Sequence, residues 1–167
     1  IPDRFERFAH GIVGTTAALL TTYLFLRLDK KSFVDIGLKF ETTSLKKFFW
    51  GLLIGIALMG LLTLSVILFS DFKVEVNTNS NILNFLFWTL PLIPLAFMEE
   101  VGFRGYPLTI LNEKLGARYS IIITSILFAL YHIANGWTIQ NSLLGAGVWG
   151  IIYGLASFLF FSGFFRM

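Results

Sequence analysis

The chain contains no cysteine and is poor in charge: only 14% of its 167 residues are Asp, Glu, Lys or Arg, where a soluble domain carries about 25%. Without cysteine there are no disulfides, thiolate nucleophiles or thiolate metal sites, and the redox compartment stays open. Four long stretches (11–26, 48–70, 82–98 and 119–165) hold no charge at all. Low-complexity segments and internal repeats are also missing. A cleavable signal peptide is excluded for the first apolar run, 11–26, because Arg27, Asp29, Lys30 and Lys31 follow it with no small-residue cleavage site. The net charge of +3 does not point to nucleic acid, since the basic residues sit at the ends of apolar segments.

What is abundant is apolar surface: 56% hydrophobic and 17% aromatic residues. This predicts an all-α, polytopic transmembrane helical bundle of about five spans, forming one membrane-embedded domain over 1–167. The spans are 11–26, 48–70, a third from about 82 through Pro91 and Pro94 to about 111, and two within 119–165 divided by Asn135-Gly136. Gly51 and Gly55, and later Gly145, Gly147, Gly150 and Gly154, have the spacing of close helix contacts. Trp50, Trp88 and Trp137 read as interfacial aromatics. The start at Ile1 and the stop after an apolar run read as an excised piece of a longer chain.

Five spans imply a topology. Residues 27–47 hold six basic residues, 104–118 hold three, and Arg166 follows; the opposite side has Arg4, Arg7 and Lys73. The positive-inside rule then puts 27–47 and 112–118 in the cytoplasm of a multi-pass cell-membrane protein, with the start of the chain outside. The expected partners are the lipid bilayer and a membrane-associated peptide or protein, with no nucleic acid.

Against this background Glu99-Glu100-Val101-Gly102-Phe103-Arg104 stands out, because one charge near a helix centre costs roughly 2.5–3.5 kcal/mol on insertion scales. The turn at 112–118 should fold the third and fourth spans into an antiparallel hairpin. Lys114 is 14 residues after Glu100, and His132 is 14 residues after Arg118; each therefore lies about 21 Å from the turn. Two acids and an imidazole are expected to meet at one depth. Glu100 and Arg104, at i and i+4, suit an ion pair, which would leave Glu99 free as general base. His132 could orient the same water or stabilise developing charge. Pro107 cannot donate to the Phe103 carbonyl, so the helix should loosen there and line a wet cavity. Two Glu and one His, without Cys or a second nearby His, are short of a zinc site, and no cofactor is expected. The rival expectation is a non-catalytic membrane binding or immunity protein in which the Glu-Arg pair is a structural bridge.

Glu99-Glu100-x-x-x-Arg104 and Phe128-x-x-x-His132 resemble the first two motifs of the type II CAAX prenyl endopeptidases and their prokaryotic relatives, often called CPBP intramembrane metalloproteases; 147–153 is similar to their looser third region, giving a motif core over 99–165. The resemblance implies a helical intramembrane endopeptidase in which Glu99 and His132 activate water, with Glu100 and Arg104 beside them. Its substrates would be prenylated CAAX-type, bacteriocin or pheromone peptides, cut near the cytoplasmic side. The family label suggests a metal, whereas this residue set looks metal-independent. A fourth motif, a second His followed by Asn that holds the oxyanion, is not present by Met167, and His10 lies in the wrong part of the sequence to supply it. A fragment without that motif is expected to have little activity.

Overall fold

The computed structural model describes residues 2–39, 41–73, 75 and 81–161. The middle of the polar loop after the second span and the basic Arg166 lie outside the described residues. Among the described residues eight α-helices follow in order: α1 Pro2–Leu28, α2 Ser44–Phe69, α3 Ile82–Thr89, α4 Leu92–Glu99, α5 Tyr106–Leu115, α6 Ala117–Ala134, α7 Ile139–Asn141 and α8 Val148–Phe161. π-helical segments at Glu100–Gly105 and Ser142–Gly147 join α4 to α5 and α7 to α8. Among the described residues five stretches are helical, long and apolar enough to cross a membrane: Phe8–Leu28, Ser44–Phe69, Ile82–Leu115, Ala117–Ala134 and Ile139–Phe158. No strand occurs among the described residues, and the chain is a multi-pass helical membrane protein.

The contacts divide the chain into two compact units, one of residues up to 38 and from 85 onward, the other of Lys39–Asn84. The second consists mainly of α2. Its 26 residues, at about 1.5 Å each, are ample for a hydrocarbon core of about 30 Å. Thr63 and Ser65 hide their hydroxyls by donating to the Met59 and Leu61 carbonyls, which suits an apolar surround. Lys46 and Lys47 lie inside the first turn of α2, so this helix starts earlier than the charge-free run. Just before it, Lys39 and Lys47 flank Glu41 at 3.0 and 3.5 Å, and the hydrogen bond from Lys39 keeps the Glu41 carboxyl below its ordinary pKa. A Cβ built on Gly51 or Gly55 meets no described atom within 4 Å; the close approaches are elsewhere.

They are in the first unit, where the site lies. α1 runs parallel to α4 and α5. A Cβ on Gly11 would lie 2.9 Å from the Leu95 backbone nitrogen, and one on Gly14 would run into the Met98 sulfur. Thr15 adds a hydrogen bond to the Pro94 carbonyl, 2.8 Å long. At the other end of α1, Tyr106 donates to Asp29 (2.7 Å) and Lys31 to Glu113 (2.5 Å), the latter raising the Lys31 pKa. Ser32 N–H and O–H both donate to Asp35 at 2.7 Å, and they hold its carboxyl below its ordinary value. Residues 29–35 and the 112–118 turn therefore sit at the same end of this unit, as the alternation of spans requires.

The hairpin α5–α6 turns on Gly116, whose φ of +80° disfavours any residue with a Cβ. Helix continues to Leu115, four residues beyond the expected end of the third span. α6 then buries Ser120, Ile121, Thr124, Ser125, Phe128 and Ala129. The three hydroxyls bond to carbonyls of their own helix, leaving small side chains against which α8 can pack. Gly150 does so: its Cβ position is 3.0 Å from the Ser125 Cα and Cβ. Because Ser125 is backbone-anchored, Gly150→Leu must separate the two helices. A cost of at least about 1–3 kcal/mol is expected, read as a lower melting temperature in detergent than that of Gly60→Leu, which faces open space.

Candidate active site

The third span is built from successive helical pieces and is irregular in hydrogen bonding. α3 stops at Thr89 and α4 starts after Pro91, which lacks the N–H to continue the ladder. Glu99 is the last residue of α4, and Glu100–Gly105 is π-helical. The loosening falls where Pro107 withholds its donor, and π-helical insertions often mark functional positions. The widened turn alters the simple wheel of 100° per residue, yet the two carboxylates still diverge.

Glu99 Oε1 lies 3.9 Å from His132 Nε2, so the hairpin brings the two expected residues together. Glu100 Oε1 lies 3.5 Å from Arg104 Nη1. All four candidate residues belong to one cluster, arranged as two pairs. His132 Nδ1 is 2.9 Å from the Phe128 carbonyl. A carbonyl can only accept, so Nδ1 carries the proton and, in the neutral ring, Nε2 presents its lone pair toward Glu99. A gap of 3.9 Å is too long for a direct hydrogen bond, but it accommodates a water making bonds of about 2.8 Å to both atoms. Two acceptors facing one water orient its hydrogens and leave an oxygen lone pair free.

Among the described residues Arg104 is the most deeply buried charge, its side chain 4% exposed against 47% for that of Glu100. Its Nη1 and Nη2 make no hydrogen bond with any described group. Instead the guanidinium lies over the rings of Phe128 (4.2 Å), Tyr153 (5.4 Å) and Phe103 (5.9 Å). Arg suits this setting because its planar charge stacks on aromatic faces.

Several residues of the cluster were not singled out in sequence. Trp137, expected at the interface, packs edge-on against His132 with ring centroids 4.6 Å apart. Phe103 packs against both Phe128 and Tyr131. Phe103 and Tyr131 directly precede Arg104 and His132 in the sequence, so adjacency to the motifs could have flagged them. His10 could not be placed that way. It arrives on α1, with Nε2 3.4 Å from the Tyr131 hydroxyl, and stands within electrostatic reach of Glu99. A groove of about 480 Å³ runs between α1 and the loosened helix, lined by Ala18, Thr22, Phe25, Gly102 and Pro107 among others.

Glu100 is turned toward Arg104, and no group of three His, Cys, Asp or Glu side chains converges among the described residues.

These features define a membrane-embedded helical protein with a carboxylate–imidazole site on adjacent spans. The family model described as "Type II CAAX prenyl endopeptidase Rce1-like" matches residues 80–162, which contain all four site residues. Through this stretch the chain belongs to that family. No curated protein and no solved structure matches the chain.

Proposed function

We propose that this protein is an intramembrane endopeptidase in which Glu99 is the general base and His132 orients the attacking water. The facing of Glu99 Oε1 and His132 Nε2 across 3.9 Å carries the proposal. Glu99 takes a proton from water as its oxygen bonds to the peptide carbonyl carbon. The C–N bond then breaks, and the proton passes from Glu99 to the departing nitrogen, giving a free carboxyl and a free amine. Glu100 and Arg104 act as the anchor that fixes the turn carrying Glu99. The substrates are membrane-associated peptides, of the prenylated CAAX type that the family description names or a bacteriocin- or pheromone-like kind.

The test uses the full-length protein in lipid nanodiscs with a farnesylated CAAX peptide and an unprenylated membrane peptide. Cleavage of either, lost in His132→Ala, is the expected result. If His132→Ala cleaves as well as the native protein, the mechanism fails. If neither peptide is cut and Glu99→Gln leaves cellular function intact, the rival binding or immunity role takes its place.

A pair about 21 Å from the 112–118 turn lies beyond the middle of a core of about 30 Å. If that turn is cytoplasmic, the site is in the outer half of the membrane, not near the cytoplasmic side. Ten basic residues against three favour the turn as cytoplasmic, so we place the site on the extracytoplasmic half. These 167 residues contain no cysteine, so a single introduced thiol reports its own position within them. A membrane-impermeant maleimide added to intact cells should label Asn135→Cys and spare Lys114→Cys; the opposite pattern inverts the topology.

A further inference from the structure

His132 must keep Nε2 on the attacking water. The bond from Nδ1 to the Phe128 carbonyl fixes one point of the ring but not its tilt, which is left to packing. α6 ends at Ala134, and the way it ends bears on that tilt. Gly136 takes φ of +89°. Its N–H donates to the Ile133 carbonyl and the Trp137 N–H to the His132 carbonyl, each at 3.0 Å. This pair of bonds closes a helix that runs into a left-handed glycine, and it brings the residue after the glycine back toward the last turn. That residue is Trp137, and the turn carries His132.

We infer that Trp137 is a positioning residue for His132: its indole holds the imidazole at the tilt that aims Nε2 at the water. Three observations carry this. The indole lies edge-on to the imidazole, with centroids 4.6 Å apart and planes at 73°. Phe128 (4.6 Å, 77°) and Tyr131 (5.5 Å, 87°) also pack on the imidazole, but both come from α6 itself, so Trp137 is the wall that arrives from beyond the helix end. Next, the turn that delivers it is fastened. Asn135 donates to the Tyr131 carbonyl through its backbone N–H (3.1 Å) and through its side-chain amide (2.7 Å). Lastly, the π-helical segment of the last span passes beside the indole, where a Cβ on Gly145 would lie 3.9 Å from Trp137 Cζ3. Trp137 makes and breaks no bond in the reaction. It acts through His132, by opposing rotation of the ring while Glu99 takes the proton.

The inference rests on the endopeptidase reading, and the full-length protein in lipid nanodiscs with the farnesylated CAAX peptide separates the two. Glu99→Gln serves as the control for hydrolysis. Trp137→Leu should lower kcat per folded molecule by about 10- to 10²-fold, the scale of a small misplacement of a reacting group, with KM changed by less than about twofold. Trp137→Phe, which keeps a ring against the imidazole, should recover most of that loss. In the His132→Ala background Trp137→Leu should change the residual rate by less than about twofold. One readout needs no turnover: ¹⁵N spectra of the imidazole, assigned with His132→Ala, should show the Nδ1–H tautomer in the native protein and a mixture of tautomers in Trp137→Leu. If Glu99→Gln is inactive while Trp137→Leu keeps the native kcat or the native tautomer, the inference is overturned and the endopeptidase reading stands. Trp137→Phe as slow as Trp137→Leu, or effects of Trp137→Leu and His132→Ala that multiply, would also overturn it. Cleavage retained by Glu99→Gln would remove the endopeptidase reading and this inference with it.

Discussion

Glu99→Gln is expected to reduce peptide cleavage by about 10²–10⁴-fold, the usual worth of a positioned general base, while leaving the fold intact. Glutamine keeps the shape and one acceptor oxygen, so water still binds between it and His132; it cannot accept the proton. Little stability is at stake, because the Glu99–His132 separation of 3.9 Å is not a hydrogen bond and the carboxylate is only partly buried. Glu100→Gln should behave in the opposite way. It removes the charge facing Arg104 and should destabilise the protein by roughly 1–3 kcal/mol, with activity falling only as the folded fraction falls. The measurement is kcat beside thermal melting for both variants. Equal loss of activity per loss of stability in the two would contradict the division of labour between them.

Arg104→Met is expected to produce the largest loss of stability. The guanidinium is almost fully buried and covers the Phe128 ring at 4.2 Å. Removing it takes away a desolvated cation–π contact of about 0.5–2 kcal/mol. It also leaves Glu100 without its counter-charge on an apolar helix, where breaking a buried pair typically costs about 3–5 kcal/mol. The partial exposure of Glu100 puts the expected total toward the lower end of that range. Arg104→Lys should rescue only part, since a compact ammonium cannot both lie over Phe128 and reach Glu100. Chemical unfolding in mixed micelles reads both variants. If Arg104→Met proved as stable as the native protein, the anchor role would be withdrawn.

The spans were legible because bilayer and charge interact over whole helices: stretches such as 48–70 and 119–165 have no charge to place anywhere but inside. Their ends were less legible. Lys46 and Lys47 lie in the first turn of α2, since long basic side chains can reach the interface from there. The meeting of Glu99 with His132 followed from counting residues on two helices joined by one turn, a local constraint. The loosened helix at Glu100–Gly105 was visible in Pro107. What sequence concealed were contacts between helices with no such ruler. The parallel docking of α1 on α4 depends on Gly11, Gly14 and Thr15 meeting a partner some eighty residues away. His10 therefore reached the cluster unannounced. Trp137 carries the composition of an interfacial residue, and only the turn at Gly136, with φ of +89°, folds it back onto His132.

The most direct test of the central claim, that Glu99 activates water, is a single turnover of the full-length protein in H₂¹⁸O. The account predicts one ¹⁸O in the newly formed carboxyl terminus of the product and none in the peptide containing Glu99. Label appearing in Glu99 would mean that its carboxylate attacks the substrate itself, and would contradict the account.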